Sequence, residues 1–575
     1  MNWSSHEFIW LDWAILAIGL CGVVAAVWYA IWKDKKAQQG EDSSAYLFGK
    51  GEPWYVIGMA IFAANIGSEH LVGLAGTGAK DGVGMAHWEM QGWMILILGW
   101  LFVPFYQLLI NKMGKIITMP DFLKFRYTQR TGSWLSIITL VAYVLTKVSV
   151  TAFTGGIFFE YLLGLNFWVG AIGLIAVTAV FTVFGGMKGV MTLSSIQTPI
   201  LIIGSFLVLF LGLATLGGGS ITEGWTMMMD TARSMHDGYG INHMFHTDPG
   251  DPMYAEYPGY VVFLGACIIG FWYWCTDQYI VQRVLSGKNE KEARRGTIFG
   301  AYLKLLPVFL FLIPGMIAFA MSTKGVTLPN GEVFVLSTPD AAFPTLVAKL
   351  LPAGVKGLVV CGILAALMSS LASLFNSSAM LFTIDFWKRL KPETPEKQLV
   401  RIGQIATVVI VILGILWIPI MRSVGDVLYN YLQDVQSVLA PGIASAFLLG
   451  ICWKRASAKG GMWGLLSGII IGLTRLGAKV YYSNATDAAD SWFKAVFYDF
   501  NWLFFCGAML VVCCLVVIVV SLITEAPDEK KIQGLVFGTS TPEQVAATRA
   551  SWNKWDVIHT VIILGFTAAF YYYFW

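Results

Sequence analysis

Long apolar segments dominate this chain of 575 residues. Runs of about 20 apolar residues recur along it, and each run is long enough to cross the hydrocarbon core of a bilayer as a helix. About fourteen such runs follow one another, separated by polar connections too short to form a separate soluble domain. The pattern predicts an all-α polytopic membrane protein with about fourteen transmembrane helices.

Polar residues interrupt two of these runs near their middle. The sequence AANIGSEH interrupts one run at residues 63–70, and WYWCTDQ interrupts the run five spans later, at residues 272–278. A helix that faces lipid cannot open its backbone, so a break at this depth marks a cavity or a site lined by protein. Either interruption alone is equally well explained as a packing detail. Two at matching positions indicate a transporter built from inverted repeats.

This interpretation divides the chain into four parts. Residues 9–32 are expected to form an extra N-terminal transmembrane helix, residues 53–216 the first inverted repeat and residues 257–451 the second. Residues 460–575 would supply further transmembrane helices, with a charged cytoplasmic linker at residues 525–551. We therefore expect a five-plus-five core with extra helices at both ends.

The charge distribution sets the expected orientation. About 27 of the 38 Lys and Arg residues fall on one side of the membrane if the N-terminus lies outside. We therefore expect both termini to be extracytoplasmic in a plasma membrane. A bacterial inner membrane is favoured because no cysteine falls in a loop. No A-x-A-type cleavage site follows the first apolar run, which is therefore expected to be a permanent span.

The composition and the motifs exclude several classes of function. Hydrophobic residues make up 57% of the chain and charged residues only 13%, which excludes a disordered chain and a nucleic-acid binder with basic patches. The chain carries no H-E-x-x-H, G-x-S-x-G or phosphate-cradling motif, so we do not expect an enzyme.

Hydroxyl groups are concentrated in the ninth predicted span. Ser369, Ser370 and Ser373 fall within one and a half turns of helix. Small hydroxylated residues at this spacing usually form surfaces where helices pack. Hydroxyl and backbone carbonyl oxygens are also the ligands that a hard cation such as sodium needs, and they add no net charge to the membrane. Both interpretations remain open from the residues alone.

Three charged residues fall inside the predicted spans. Glu89, Lys147 and Lys304 each cost roughly 2.5–3.5 kcal/mol to place at the centre of a bilayer, which makes them candidates for function. Lys304 lies close enough to a helix end that its side chain could instead reach the interface. A mixture of hydrogen-bond donors and acceptors suits a neutral polyhydroxylated ligand. An anionic ligand would call for Arg, and no Arg is expected in the middle of a predicted span. The residues expected to complete that mixture are Asn65, His70, Gln433 and the aromatic Tyr273.

The longest polar connection, residues 217–257, contains histidines and carboxylates. The histidines are His236, His243 and His246, and the carboxylates are Asp248, Asp251 and Glu256. A metal site is conceivable there, but the spacing matches no established ligand motif. An ordinary extracellular loop is the favoured interpretation.

The chain resembles the sodium/solute symporter family, and specifically its sodium–glucose cotransporter branch. The resemblance runs through FAANIGS at 62–68, LAGTG at 74–78, TMPD at 118–121, YWCTDQ at 273–278, YLKL at 302–305, SSL at 369–371, YLQ at 431–433 and WKR at 453–455. It spans residues 9–524 with matching order and spacing. It implies a five-plus-five inverted repeat of the leucine-transporter type.

The resemblance also implies the binding sites. By position it assigns a sodium site to backbone oxygens of Ala63, Ile66 and Ala366 and to the hydroxyls of Ser369 and Ser370. The sugar site that it implies consists of Asn65, His70, Glu89, Lys304 and Gln433, with Trp274 nearby and Tyr273 as an inner gate. Sodium would be a co-transported ion rather than a resident cofactor.

The sequence departs from the family pattern where a second sodium site would lie. Relatives with two sodium ions carry Asp and Thr where this chain has Ser194 and Ala372, so we expect one sodium per sugar. Gly270 replaces an Asn or Ser that often touches the sugar, which leaves the hexose undetermined. We expect sodium-coupled symport of a glucose- or galactose-like monosaccharide by alternating access. The alternatives are a sodium symporter of inositol or sialic acid, and a sugar-gated sensor or channel on the same fold.

Overall fold

The protein is built from helices. The computed structural model describes residues 8–37, 49, 51–67, 69–113, 118–421, 428–484 and 490–575, and within these ranges no strand longer than an isolated bridge occurs. In chain order the principal helices are α1 Trp10–Ala37, α2 Trp54–Asn65, α3 Glu69–Asp81, α4 Ala86–Lys112, α5 Met119–Arg126, α6 129–163, α7 Phe167–Leu216, α8 Ile221–Arg233, α9 Val261–Thr276, α10 Gln278–Leu285, α11 Glu290–Lys324, α12 Ala342–Leu350, α13 Val355–Leu390, α14 Glu396–Met421, α15 Leu428–Cys452, α16 Ala458–Asn484, α17 Trp502–Ile523, α18 Glu529–Ile532, α19 Pro542–Ala550 and α20 Lys554–Tyr573.

The two predicted helix breaks are confirmed. Helix α2 ends at Asn65, Ile66 is extended with φ −82° and ψ 105°, and α3 continues with a bend of 62°. Helix α9 ends at Thr276, Asp277 is extended with φ −78° and ψ 127°, and α10 continues with a bend of 44°. The Asp277 side chain accepts the backbone N–H of Tyr279, so it caps α10. Each predicted interruption is therefore an unwound segment between two half-helices.

Ten helices of the described residues are long and apolar enough to cross a membrane, and the two bent pairs raise the number to twelve. Helix α7 accounts for part of the difference from fourteen. It contains two predicted spans, and Gly186 between them adopts φ 50° and ψ −150°. Glycine adopts this positive φ readily, whereas other residues adopt it only at a cost in free energy. The chain therefore bends at Gly186 and is helical on both sides of it. The count of fourteen spans stays a prediction.

Helix α13 lies at the centre of the bundle. Its apolar stretch is 94% buried, and it packs against α1, α7 and α14. Helices α2 and α11 pack along each other, and α3 approaches α11 so closely that a Cβ on Gly78 would lie 2.2 Å from the Leu312 carbonyl oxygen. Small residues permit such close approach between helices in a membrane. The hydroxyl-rich turn of α13 therefore faces other helices and not lipid.

The linker expected at residues 525–551 is packed against the bundle. It contains the short helices α18 and α19. The backbone N–H of Phe537 donates to the Ile451 carbonyl at 2.8 Å, and Lys531 donates to the Tyr127 carbonyl at 2.6 Å. Polar composition predicted a connection but not these contacts. The bounds proposed for the two repeats, 53–216 and 257–451, stay predictions.

Candidate functional site

A narrow cavity of about 50 Å³, lined by polar and aromatic side chains, lies beside the two unwound segments. All seven residues that were expected to bind solute line it: Asn65, His70, Glu89, Tyr273, Trp274, Lys304 and Gln433. They come from α2, α3, α4, α9, α11 and α15, so the fold brings together residues that are far apart in the chain. Their role in binding stays a prediction.

A buried ion pair forms one wall of the cavity. Lys304 Nζ lies 2.6 Å from Glu89 Oε2 and donates to Asn65 Oδ1 at 3.0 Å. Glu89 Oε1 is 3.4 Å from His70 Nε2. Lys304 is 3% exposed and Glu89 is 1% exposed, so the alternative in which Lys304 reaches the interface is wrong. Pairing compensates for the cost of burying both charges.

Aromatic side chains form the adjacent wall. The Tyr273 hydroxyl accepts from Asn65 Nδ2 at 3.2 Å, which ties the ring to the break after α2. The Trp274 indole N–H donates to Gln91 Oε1 at 3.2 Å. A Cβ on Gly270 would lie 2.4 Å from that same Gln91 oxygen. Gln91 therefore occupies the space that a side chain at position 270 would fill.

Three polar atoms in the cavity wall have no hydrogen-bond partner among the described residues. They are Gln433 Oε1, Trp88 Nε1 and Glu69 Oε2, all of them buried. Buried polar atoms are nearly always paired, so unpaired atoms around a cavity point to a ligand that supplies the partners. Two are acceptors and one is a donor, so the cavity wall can both accept and donate hydrogen bonds.

The unwound segment after α2 also contacts the hydroxyl-rich turn of α13. The Ser370 hydroxyl lies 3.1 Å from the Ala64 carbonyl oxygen and 3.3 Å from that of Ile66. Two more residues of the expected sodium site, Ala63 and Ala366, are fully buried. The donor set is made of neutral hydroxyl and carbonyl oxygens, which is the chemistry that sodium prefers. The role of these residues in binding sodium stays a prediction.

The remaining hydroxyl of the expected sodium site has a different neighbour. Ser369 Oγ lies 2.7 Å from Ser194 Oγ of α7. Ser194 also donates to the Val190 carbonyl at 2.8 Å. Position 194 therefore contributes a hydroxyl group and not a carboxylate.

Lys147 also lines the cavity and belongs to a second charged group beside Tyr273. Its Nζ lies 2.6 Å from Asp277 Oδ2 and 4.4 Å from the centre of the Tyr273 ring. The Tyr143 hydroxyl donates to Asp277 Oδ1. This group joins α6 to the break between α9 and α10. Sequence reasoning identified Lys147 as a candidate but did not identify Asp277 as its partner.

The chain is similar to known membrane transporters. The family model of the sodium:solute symporter family matches residues 46–468. The human sodium/myo-inositol cotransporter 2 is 35% identical over 92% of this chain and 79% of its own length. The zebrafish (Danio rerio) sodium/glucose cotransporter 4 is 32% identical over 95% of this chain and 84% of its own.

A solved structure shares the fold. It is described as the substrate-bound outward-open state of a sodium-coupled sialic acid symporter. It aligns with a TM-score of 0.70 over 91% of this chain and 99% of its own chain, at 19% identity. The fold is thus the all-helical, leucine-transporter-type arrangement that the sequence indicated. The protein is a multi-pass membrane protein and a sodium-coupled solute symporter rather than an enzyme. Because the family model matches residues 46–468 and the two relatives are similar over 79% and 84% of their own length, the chain belongs to the sodium:solute symporter family.

Proposed function

We propose that this symporter imports a neutral monosaccharide of the glucose or galactose type together with sodium. The observation that carries the proposal is the cavity beside the α2–α3 break, in which unpaired donor and acceptor atoms adjoin the ring of Tyr273. A sugar ring offers hydroxyl groups to the polar atoms and an apolar face to the aromatic ring. The Ser370 contacts to the same break support a sodium site next to the cavity.

The charge of the cavity supports a neutral ligand. Its described lining contains two acidic residues, Glu69 and Glu89, and two lysines, Lys147 and Lys304, and no arginine. Both lysines already have carboxylate partners, at 2.6 Å in each case. A carboxylate ligand such as sialic acid would need a cation that is not already paired. The likeness to the sialic acid symporter extends to the fold alone, because the two chains are only 19% identical.

A second candidate is myo-inositol. The relatives named as sodium/myo-inositol cotransporter 2 are 34–35% identical to this chain, similar to the 32–34% of the sodium/glucose cotransporters. Inositol and a pyranose are both six-membered rings that carry several hydroxyl groups. The unpaired atoms of Gln433 and Trp88 suit either ring.

Alternating access is the proposed mechanism. Sodium would bridge the α2–α3 break and α13 and hold the arrangement in which the cavity admits solute. Solute would then bind, and Tyr273 would move to release both ligands on the opposite side. Coupling requires that sodium bind the solute-competent state more tightly than the other state.

One sodium per solute is the proposed stoichiometry, because Ser194 supplies no carboxylate to a second site. A charge crossing 100 mV contributes about 2.3 kcal/mol. A tenfold sodium gradient adds about 1.4 kcal/mol, so one ion could sustain a solute gradient on the order of several hundredfold. A measured ratio of two charges per solute would show that this interpretation of Ser194 is wrong.

Uptake by purified protein in proteoliposomes tests the proposal. Vesicles would receive labelled glucose, galactose, myo-inositol and sialic acid in turn, with an inward sodium gradient or an equal potassium gradient. We expect accumulation of a neutral ring polyol above its external concentration with sodium only. Sodium-dependent accumulation of sialic acid alone would contradict the assignment of substrate class. A sodium current without accumulation would indicate a sensor or channel instead.

A further inference from the structure

The connection between α7 and α9 brings two histidines and an aspartate together. One donor atom from each of His243, His246 and Asp251 lies within 4.8 Å of the others. The two imidazole rings are 4.3 Å apart between centroids. Sequence spacing did not predict this cluster, because the chain turns between residues 246 and 251 and no regular helix sets their separation.

The environment of His246 gives the cluster the features of a ligand set. His246 is 0% exposed, and its Nδ1 lies 2.6 Å from Asp251 Oδ2. The other oxygen of Asp251 accepts the backbone N–H of Met253 at 2.8 Å, so the carboxylate is fixed in place. His246 Nε2 is buried and has no hydrogen-bond partner among the described residues. An ion can take the place of the proton shared by this nitrogen and this oxygen, because metal ligands must be deprotonated.

We propose that His243, His246 and Asp251 form a binding site for a divalent transition-metal ion of the zinc type. Imidazole nitrogens with one carboxylate are a donor set that suits zinc, whereas calcium and magnesium prefer oxygen ligands alone. With three protein ligands, a water molecule would complete a four-coordinate site. In the expected orientation of the chain, the site faces the extracytoplasmic side.

The position of the site connects it to the transport core. The Tyr257 hydroxyl donates to Asp81 Oδ2 at 3.1 Å, and Asp81 is the last residue of α3. The backbone N–H of Val83 donates to the Ile241 carbonyl at 3.0 Å, two residues before His243. A bound ion would therefore join residues within a connection that is hydrogen-bonded to the end of α3. Metal binding is expected to stabilise the folded protein, because it favours the state in which the three ligands converge.

Calorimetric titration of the purified full-length protein with zinc chloride tests the proposal. The protein is prepared without a polyhistidine tag and stripped with EDTA, and the variants His243→Ala and Asp251→Asn are compared with His236→Ala. We expect saturable binding of one zinc ion per chain, weakened at least about tenfold in the first two variants. The matched control removes a histidine of the same connection that lies outside the group and is expected to bind like the unmodified protein. Calcium at the same concentration is expected not to bind.

Two results would overturn the proposal. One is the absence of saturable zinc binding to the unmodified protein at up to about 100 μM zinc, which would mean that any binding has a Kd weaker than about 100 μM. The other is unchanged zinc affinity in His243→Ala. His243 is only half-buried, so its replacement is expected to leave a monodisperse, folded protein in which loss of binding is meaningful. A rise in the zinc-dependent melting temperature that the variant abolishes is the supporting second readout.

Discussion

Lys304 Nζ of α11 lies 2.6 Å from Glu89 Oε2 of α4, and both side chains are almost completely buried. The pair connects two helices in the wall of the cavity, and Lys304 also donates to Asn65 at the break after α2. Burying either charge alone would be costly, so each residue depends on the other. The ion pair therefore has a structural role in addition to its expected role in solute binding.

Replacing one partner of this pair is expected to destabilise the protein. Lys304→Met leaves the Glu89 carboxylate buried without its nearest cation, which typically costs about 3–5 kcal/mol. The double variant Lys304→Met with Glu89→Gln removes both charges and is expected to regain most of that stability without regaining solute uptake. Thermal unfolding in detergent and uptake in vesicles measure the two effects separately. Full stability of the single variant would show that the pair is not structurally important.

Removing the Ser370 hydroxyl is expected to weaken sodium activation. Ser370→Ala deletes the group that contacts the Ala64 and Ile66 carbonyls across the break. We expect the half-saturating sodium concentration for uptake to rise by about tenfold, which corresponds to a loss of roughly 1.4 kcal/mol in the free energy of sodium binding. Ser378→Ala is the matched control, since Ser378 lies two turns further along α13 and its buried hydroxyl has no described partner. Equal sodium dependence in the two variants would remove Ser370 from the sodium site.

Gln433 is expected to act on the solute and not on sodium. Its buried Oε1 atom has no described partner, so Gln433→Ala would remove a hydrogen bond made only when solute is bound. A hydrogen bond of this kind contributes about 0.5–1.5 kcal/mol, which corresponds to an increase of roughly two- to tenfold in the solute KM. Gln404→Ala serves as control because its amide contacts the Val183 carbonyl far from the cavity lining. An unchanged solute KM in Gln433→Ala would place the pocket elsewhere.

Stability is expected to depend on pH through Glu256, in the connection between α8 and α9. Burial and, to a smaller extent, the nearby Asp81 carboxylate raise the pKa of Glu256 from its ordinary value of 4.5 to about 7. Because the folded protein holds this proton more tightly than the unfolded chain does, folding is favoured at low pH. That advantage is lost as the pH rises from about 4.5 to about 7.

Melting temperatures measured between pH 5 and pH 8 test this dependence. Glu256→Gln keeps the shape of the side chain and removes its titration. The variant is expected to gain stability relative to the unmodified protein above about pH 7 and little below about pH 5. A difference between the two proteins that does not vary with pH would contradict the assignment.

The sequence predicted the elements of the core better than the contacts within the site. The breaks at 63–70 and 272–278 were predictable because polar residues inside an apolar run have a local signature. The contribution of Gln91 was not predictable. Gln91 fills the space beside Gly270. The two residues are separated by about 180 positions in the chain, so their close packing exists only in the folded protein.

The same limit applies to charged residues. Lys147 and Lys304 were identified because charges are rare at membrane depth. Asp277 was not identified as the partner of Lys147, because the pairing depends on how α6 packs against the second break. The cluster of His243, His246 and Asp251 was missed for a related reason, since its spacing follows an irregular turn and not a helical period.

Uphill movement of sodium driven by solute alone tests the central claim most directly. Proteoliposomes are held at zero membrane potential with equal sodium on both sides, and an inward gradient of glucose or myo-inositol is imposed while radioactive sodium is followed. If sodium and a ring polyol share one cycle, sodium will accumulate inside transiently, and Ser370→Ala will reduce that accumulation. Sodium movement that is the same with and without either solute gradient would contradict coupled transport of these solutes.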